Sequence, residues 1–185
     1  MTSWYHFMNE EQRRFVDKKE DVDQRFYDDL EVEDTLGLVV KAHIHLEEEI
    51  NNLLNLFLPC PKALADMETE LEYSQKVHLA AALGLDKDLV APLKSLGRLR
   101  NDFAHDLKTE LTEEREKSLY KTLAEKNKKG LQEGLMIMQK EWGNGKTFLW
   151  KKMKTPDKFL AIVVYLKSAL IFQGRAFVNN QSKSA

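Results

Sequence analysis

The chain has 185 residues, 43% of them apolar and 31% charged, a balance that suits one folded domain and excludes a disordered or collagen-like chain. Eight glycines and four prolines are too few for an all-β fold, which turns about every ten residues, so an all-α, single-domain multi-helix bundle is expected. The net charge of −2 hides an asymmetry: residues 1–93 carry 20 acidic and 9 basic side chains, and residues 94–185 carry 10 acidic and 19 basic.

In chain order, residues 5–31 alternate charges with Phe7, Phe15, Val22, Phe26 and Leu30, the pattern of an amphipathic helix or helix pair that packs onto the body. We assign residues 1–33 to this segment, 34–178 to a helical core and 179–185 to a disordered tail. Asp34-Thr35 predicts an N-cap for a long helix to Leu58, stopped by Pro59 and Pro61. A shorter helix follows from about Ser74, or Gln75, to Leu83, with Gly84 as its stop. Asp86 caps the next, which takes Pro92 into its early turns and runs to about His105. Thr112 opens a helix to about Lys126, after which Gly130 and Gly134 flank a short apolar stretch, Leu135–Met138. Thr155-Pro156-Asp157 is a start signal, with a capping hydroxyl, proline in the first turn and an acid beside it. The helix it opens is apolar nearly all round and belongs at the centre of the bundle. Its apolar run, Phe159–Phe172, is broken by Lys167 and is shorter than the ~20 residues of a membrane span.

At about 100° per residue, the long helix places Leu36, Val39, Val40, Leu46, Ile50, Leu53, Leu54 and Phe57 on one face, and His43 and Glu47 fall inside it. In the helix ending at His105, Leu93, Leu96, Leu99, Phe103 and Leu107 share a face from which Arg100 projects. A charge on a core-facing stripe is costly unless paired, so Arg100 is expected to meet Glu47 with His43 close by. That polar core of His43, Glu47 and Arg100 serves either helix register or function. Asn101, Asp102 and His105 face the other way with Arg98. The basic second half offers a surface for an anionic partner, centred on Lys126, Lys128, Lys129, Lys146, Lys151, Lys152 and Lys154; the other reading is that the two halves neutralise each other across the fold.

Leu99-Arg100-Asn101-Asp102-Phe103-Ala104-His105, led by Gly97-Arg98 and taken with the helix of His43 and Glu47, resembles the mannitol operon repressor family of bacterial transcription regulators over residues of about 10–178. The same string is similar to the signature of HEPN domains, helical modules that bind nucleotides or cleave RNA without metal. The first resemblance implies a cytoplasmic negative regulator of mannitol-operon transcription, dimeric, acting on DNA or through another regulatory protein. The second implies a ribonuclease in which His105 moves a proton, Arg100 neutralises the phosphorane and Asn101 orients one of them, at a site shared across a homodimer. On a regular helix Arg100 and His105 point about 140° apart, which weighs against that chemistry within one chain. No basic helix-turn-helix reader is legible either.

Other signals are weaker. Gly143-Asn144-Gly145-Lys146-Thr147 ends like a phosphate loop, but Lys140 stands where its first glycine belongs. His43 and His45 are two apart on a helix and face different ways, so no joint metal site is expected, and no cofactor is implied. His78 is a packed or surface histidine. The single Cys60, between Pro59 and Pro61, allows no internal disulfide and has no histidine near it in sequence. Trp142, Phe148 and Trp150 beside Lys146, Lys151 and Lys152 could stack single-stranded bases or form core edges with snorkelling lysines. The opening Met1-Thr-Ser-Trp-Tyr-His-Phe shows no signal-peptide pattern, and together with the lone cysteine this predicts a cytoplasmic protein without membrane contact.

Overall fold

The computed structural model describes residues 25–26, 28–30, 34–66, 70–106, 108–142 and 148–181, and among them every regular element is a helix. The chain is an all-α multi-helix bundle. Its elements are α1 (Thr35–Phe57), α2 (Lys62–Ala65), α3 (Tyr73–Ala82), α4 (Lys87–His105), α5 (Glu113–Lys121), α6 (Glu125–Trp142), a 3-10 turn (Trp150–Lys152) and α7 (Thr155–Gln181). Residues 25–26 and 28–30 are also helical, and Phe26 and Leu30 are buried in the common core. Phe7, Phe15 and Val22 lie outside the described residues.

The helix ends follow from local chemistry. Asp34 is extended and its Oδ1 accepts the Gly37 N–H at 2.6 Å, while Leu58 turns extended ahead of Pro59. The α3 helix starts at Tyr73, with Gln75 Oε1 accepting the Glu72 N–H at 2.8 Å. It ends in a Schellman motif: the Leu85 N–H reaches the Ala80 carbonyl at 2.9 Å and the Gly84 N–H the Ala81 carbonyl at 3.3 Å. Gly84 makes this possible by adopting φ +120°. Thr112 Oγ1 caps α5 through the Arg115 N–H, but that helix stops at Lys121 and a new one starts at Glu125.

Two sequence expectations are corrected along α6 and α7. Gly130 and Gly134 do not bound a short segment; α6 runs through both. A Cβ at Gly130 would come within 3.0 Å of the Tyr165 ring, so this glycine is a notch that admits Tyr165 from α7. At the other end, α7 continues past Asn179 to Gln181.

Pro92 is accommodated by the same neighbourhood. Proline has no N–H to give the carbonyl four residues earlier, and that carbonyl, of Asp88, accepts instead from Asn127 Nδ2 at 3.1 Å. Asn127 Oδ1 in turn accepts from the Tyr165 hydroxyl at 3.1 Å. A missing backbone bond in α4 thereby joins α4, α6 and α7.

The most extensive helix contact is between α1 and α7. Phe159, Ile162, Val163, Leu166 and Leu170 of α7 are fully buried, as are Val39, Leu46, Ile50 and Leu54 of α1. By length and composition the stretch Thr155–Phe177 could cross a bilayer, being longer than the apolar run the sequence suggests. In this bundle it packs along α1, and Lys167, 3% exposed, donates to Glu49 Oε1 at 2.9 Å. Leu36 departs from the expected core face: it is exposed, and Val40 is half-buried. The core side of α1 is centred instead on Val39, Ala42, Leu46, Ile50 and Leu53.

Breaking a buried pair on one side leaves an uncompensated charge in the core. Lys167→Met is expected to lower unfolding free energy by about 3–5 kcal/mol, and the double change Glu49→Leu with Lys167→Met to recover most of it; urea melts of the two proteins decide this.

Candidate functional site

The His43 stripe meets α3 and α4, and the pairing differs from the expected one. Glu47 Oε1 accepts from Lys76 Nζ of α3 at 2.7 Å, and its Oε2 lies 3.8 Å from His43 Nδ1. Arg100 does not reach Glu47; its NH1 donates to Asn101 Oδ1 at 3.2 Å on a half-buried side chain. The reason is a third helix. A face drawn from α1 and α4 alone omits α3, which brings a cation to Glu47 first.

Tyr73 completes the cluster. Its ring lies 4.3 Å from that of His43, and its hydroxyl donates to the Leu93 carbonyl at 3.2 Å. Gly97 permits this seat, because a Cβ there would stand 2.8 Å from the Tyr73 ring. Burial pushes the Tyr73 hydroxyl well above its ordinary pKa, with the Glu47 charge adding to the shift. Burial also holds His43 below its ordinary value; Glu47 opposes this, and Arg100 and Lys76 add to it. A neutral imidazole packed on a protonated phenol, beside a solvent-reachable ion pair, serves positioning more readily than proton transfer.

The motif residues divide in the same way. Helix α4 stays regular to His105, so Arg100 lies toward the His43 cluster while Asn101, Asp102 and His105 are exposed. Asp102 is engaged by Arg115 NH1 of α5 at 2.5 Å, and its carbonyl accepts from Thr109 Oγ1 and the Asp106 N–H. Phe103 is core; Leu107 lies outside the described residues. His45 faces away from His43 and meets Asp29 Oδ2 at 3.0 Å, with Phe26 edge-on at 5.1 Å. His78 is exposed beside Lys94, and Cys60 is exposed.

Of the proposed basic surface, part is spent within the fold. Lys126 Nζ sits 2.7 Å from Asp86 and 2.9 Å from Asp88, Lys128 pairs with Glu125, and Lys129 lies near Glu133. The Lys126 hydrogen bond holds the Asp86 carboxyl below its usual range. Lys151, Lys152 and Lys154 are exposed and meet no carboxylate among the described residues. Lys146, with Gly143–Thr147, lies outside those residues, as does the Trp142 side chain. Trp150 rests on Tyr120 with ring centroids 4.8 Å apart and carries Lys158 on its ring at 5.8 Å. Phe148 is half-buried against the core, so these aromatics are core edges.

Sequence reasoning found His43, Glu47 and Arg100 but missed Lys76, Tyr73 and Glu49. Lys167, breaking an apolar run, was the one signal that a buried carboxylate must face it. Glu116 also went unnoticed: it is buried, its Oε1 has no hydrogen-bond partner among the described residues, and burial raises its pKa. Compared with protein-family models, curated proteins and solved structures, the chain gives no match.

The His43 environment fixes a pH dependence. The folded imidazole has the lower pKa, so the unfolded chain takes up a proton first; stability is present above pH of about 6.5 and is lost as pH falls below it. Unfolding free energies from denaturant melts between about pH 7.5 and pH 5.5 should decline by no more than about 1.4 kcal/mol per pH unit from this group. The decline should flatten in His43→Gln; an unchanged slope would assign it elsewhere.

Proposed function

We propose that the chain is a non-catalytic helical regulator of the kind that the resemblance to mannitol operon repressors implies, a negative regulator of transcription working through a partner protein. The observation that carries this reading is the regular course of α4 through His105. It sends Arg100 toward the His43 cluster and His105 to solvent, so one protomer does not assemble an acid–base residue and a phosphate-neutralising residue on one reacting atom.

The helix pair α3–α4 is the nearest thing to a DNA reader, and its chemistry is unfavourable for that role. The second helix opens on Asp86 and Asp88, held by Lys126, where a recognition helix presents donors to bases and phosphates. This favours repression through protein contact over direct operator binding.

The ribonuclease reading keeps one supporting observation: Asn101 and His105 are exposed and open to completion by a second copy. Incubating the full chain with structured and single-stranded RNA, with His105→Ala alongside, tests the two. Intact RNA with both proteins is expected; cleavage lost in His105→Ala would make the chain a HEPN-type nuclease.

We also propose a homodimer. Leu36, Val40 and Ile44 recur at every fourth position of α1, and Leu36 and Ile44 are exposed, a stripe that can repeat itself across a two-fold axis. Light scattering is expected to give twice the 21.5 kDa chain mass and to give the single mass for Ile44→Glu; a dimer untouched by this change would place the contact elsewhere.

A further inference from the structure

We propose that the cleft between α6 and the 3-10 turn docks an acidic amphipathic helix of a partner protein. The cleft, of about 380 Å³, is lined by Gln132, Leu135, Met136, Phe148 and Trp150, with Lys151 and Lys152 at its rim. It lies at the small end of the roughly 300–1,000 Å³ of ligand clefts, and its walls are apolar with no acid–base pair, which suits anchoring side chains better than a reacting substrate.

Three observations set the occupant. The mouth is apolar and open: Met136, which lines the cleft, is 61% exposed, and methionine adapts to varied apolar partners. The charge is one-sided. The lysines at the start of α6 are neutralised by Asp86, Asp88, Glu125 and Glu133, whereas Lys151, Lys152 and Lys154 are exposed with no carboxylate in reach among the described residues. Finally, the walls are set in advance. Gln139 Oε1 accepts the Phe148 N–H at 2.8 Å, and Trp150 is fixed between Tyr120 and Lys158.

Those contacts also decide against a nucleic-acid strand. Base stacking needs an open aromatic face, and the rings here are taken up by Tyr120, Lys158 and the core; the exposed surface is thioether and aliphatic. An apolar groove rimmed by ammonium groups that meet no carboxylate among the described residues fits a helix with anchors at i, i+3 or i+4 and i+7, flanked by Asp and Glu.

The inference rests on the partner-protein reading; RNA cleavage is scored at His105 and docking at Met136, so the failure of one is distinguishable from the failure of the other. The test is selection from a displayed library of helical peptides on the immobilised full chain, followed by fluorescence anisotropy with the most enriched peptide. Enrichment of apolar anchors with Asp and Glu is expected. Met136→Glu and, separately, Lys151→Glu with Lys152→Glu should weaken binding by at least about tenfold with an unchanged circular dichroism spectrum, and Lys151→Arg with Lys152→Arg should keep it. Binding should also weaken with added salt. No enrichment, enrichment of basic peptides, affinity indifferent to these changes, or displacement of the peptide by oligothymidylate would each overturn the proposal.

Discussion

The bundle depends on a lysine in the wrong place for an apolar helix. Lys167 sits in the middle of α7, where every neighbour on its face is hydrocarbon, and it is tolerated because Glu49 of α1 meets it at 2.9 Å. Asn52 Nδ2 lies 3.5 Å from the other carboxylate oxygen, and Phe26 places its ring 4.8 Å from the ammonium. An ion pair of this kind adds little net stability against an apolar pair of the same volume. What it restricts is register: α7 can slide or rotate on α1 only by stranding a charge, so the largest helix contact in the molecule has a single setting.

From that setting the other polar contacts follow along α1. Glu47, two residues before Glu49, points to the opposite side of the helix and takes Lys76 of α3, which fixes where Tyr73 lands against Gly97 and His43. The α3–α4 corner is thereby held from one side of α1, and α7 from the other. On the far side of α7, Tyr165 passes its hydroxyl to Asn127, and Asn127 supplies the donor that Pro92 denies to the Asp88 carbonyl. Each of these groups satisfies a polar atom that the apolar packing would otherwise strand, and together they tie α1, α3, α4, α6 and α7 by side chains of defined partner.

Much of the fold was legible because helix ends are local events. Asp34, Gly84, Asp86 and Thr112 each act on atoms within a few residues, and each marks an end the structure has. Gly130 misled for the opposite reason: it answers to Tyr165, 35 positions along, and no local pattern distinguishes a notch from a stop. The site shows the same limit. His43 and Glu47 stood out as polar residues on an apolar face, so their anomaly was visible; the partner of Glu47 was not, because a helical face states that a charge needs a counter-charge without saying which helix will bring it. Arg100 was the nearest cation on the sequence's own terms, and Lys76 lay on a short helix whose approach only packing determines.

Part of the charge asymmetry between the two halves is internal. Glu49 with Lys167, and Asp86 and Asp88 with Lys126, are acids of the first half matched by lysines of the second, so these members of an apparent dipole along the sequence are paired across the fold. Exposed pairs such as that of Lys126 contribute little to stability, yet they cancel field at the surface, and this has a consequence for where an anion can be attracted. Positive potential that is matched nearby does not steer a distant partner. Among the described residues Lys151, Lys152 and Lys154 meet no carboxylate, and Lys151 and Lys152 share the lining of one cleft with the exposed Met136 of α6. What distinguishes Lys151, Lys152 and Lys154 from other cations that meet no carboxylate among the described residues is that they follow one another in a short stretch and two of them line an apolar cleft, so an anionic partner drawn there also meets hydrocarbon.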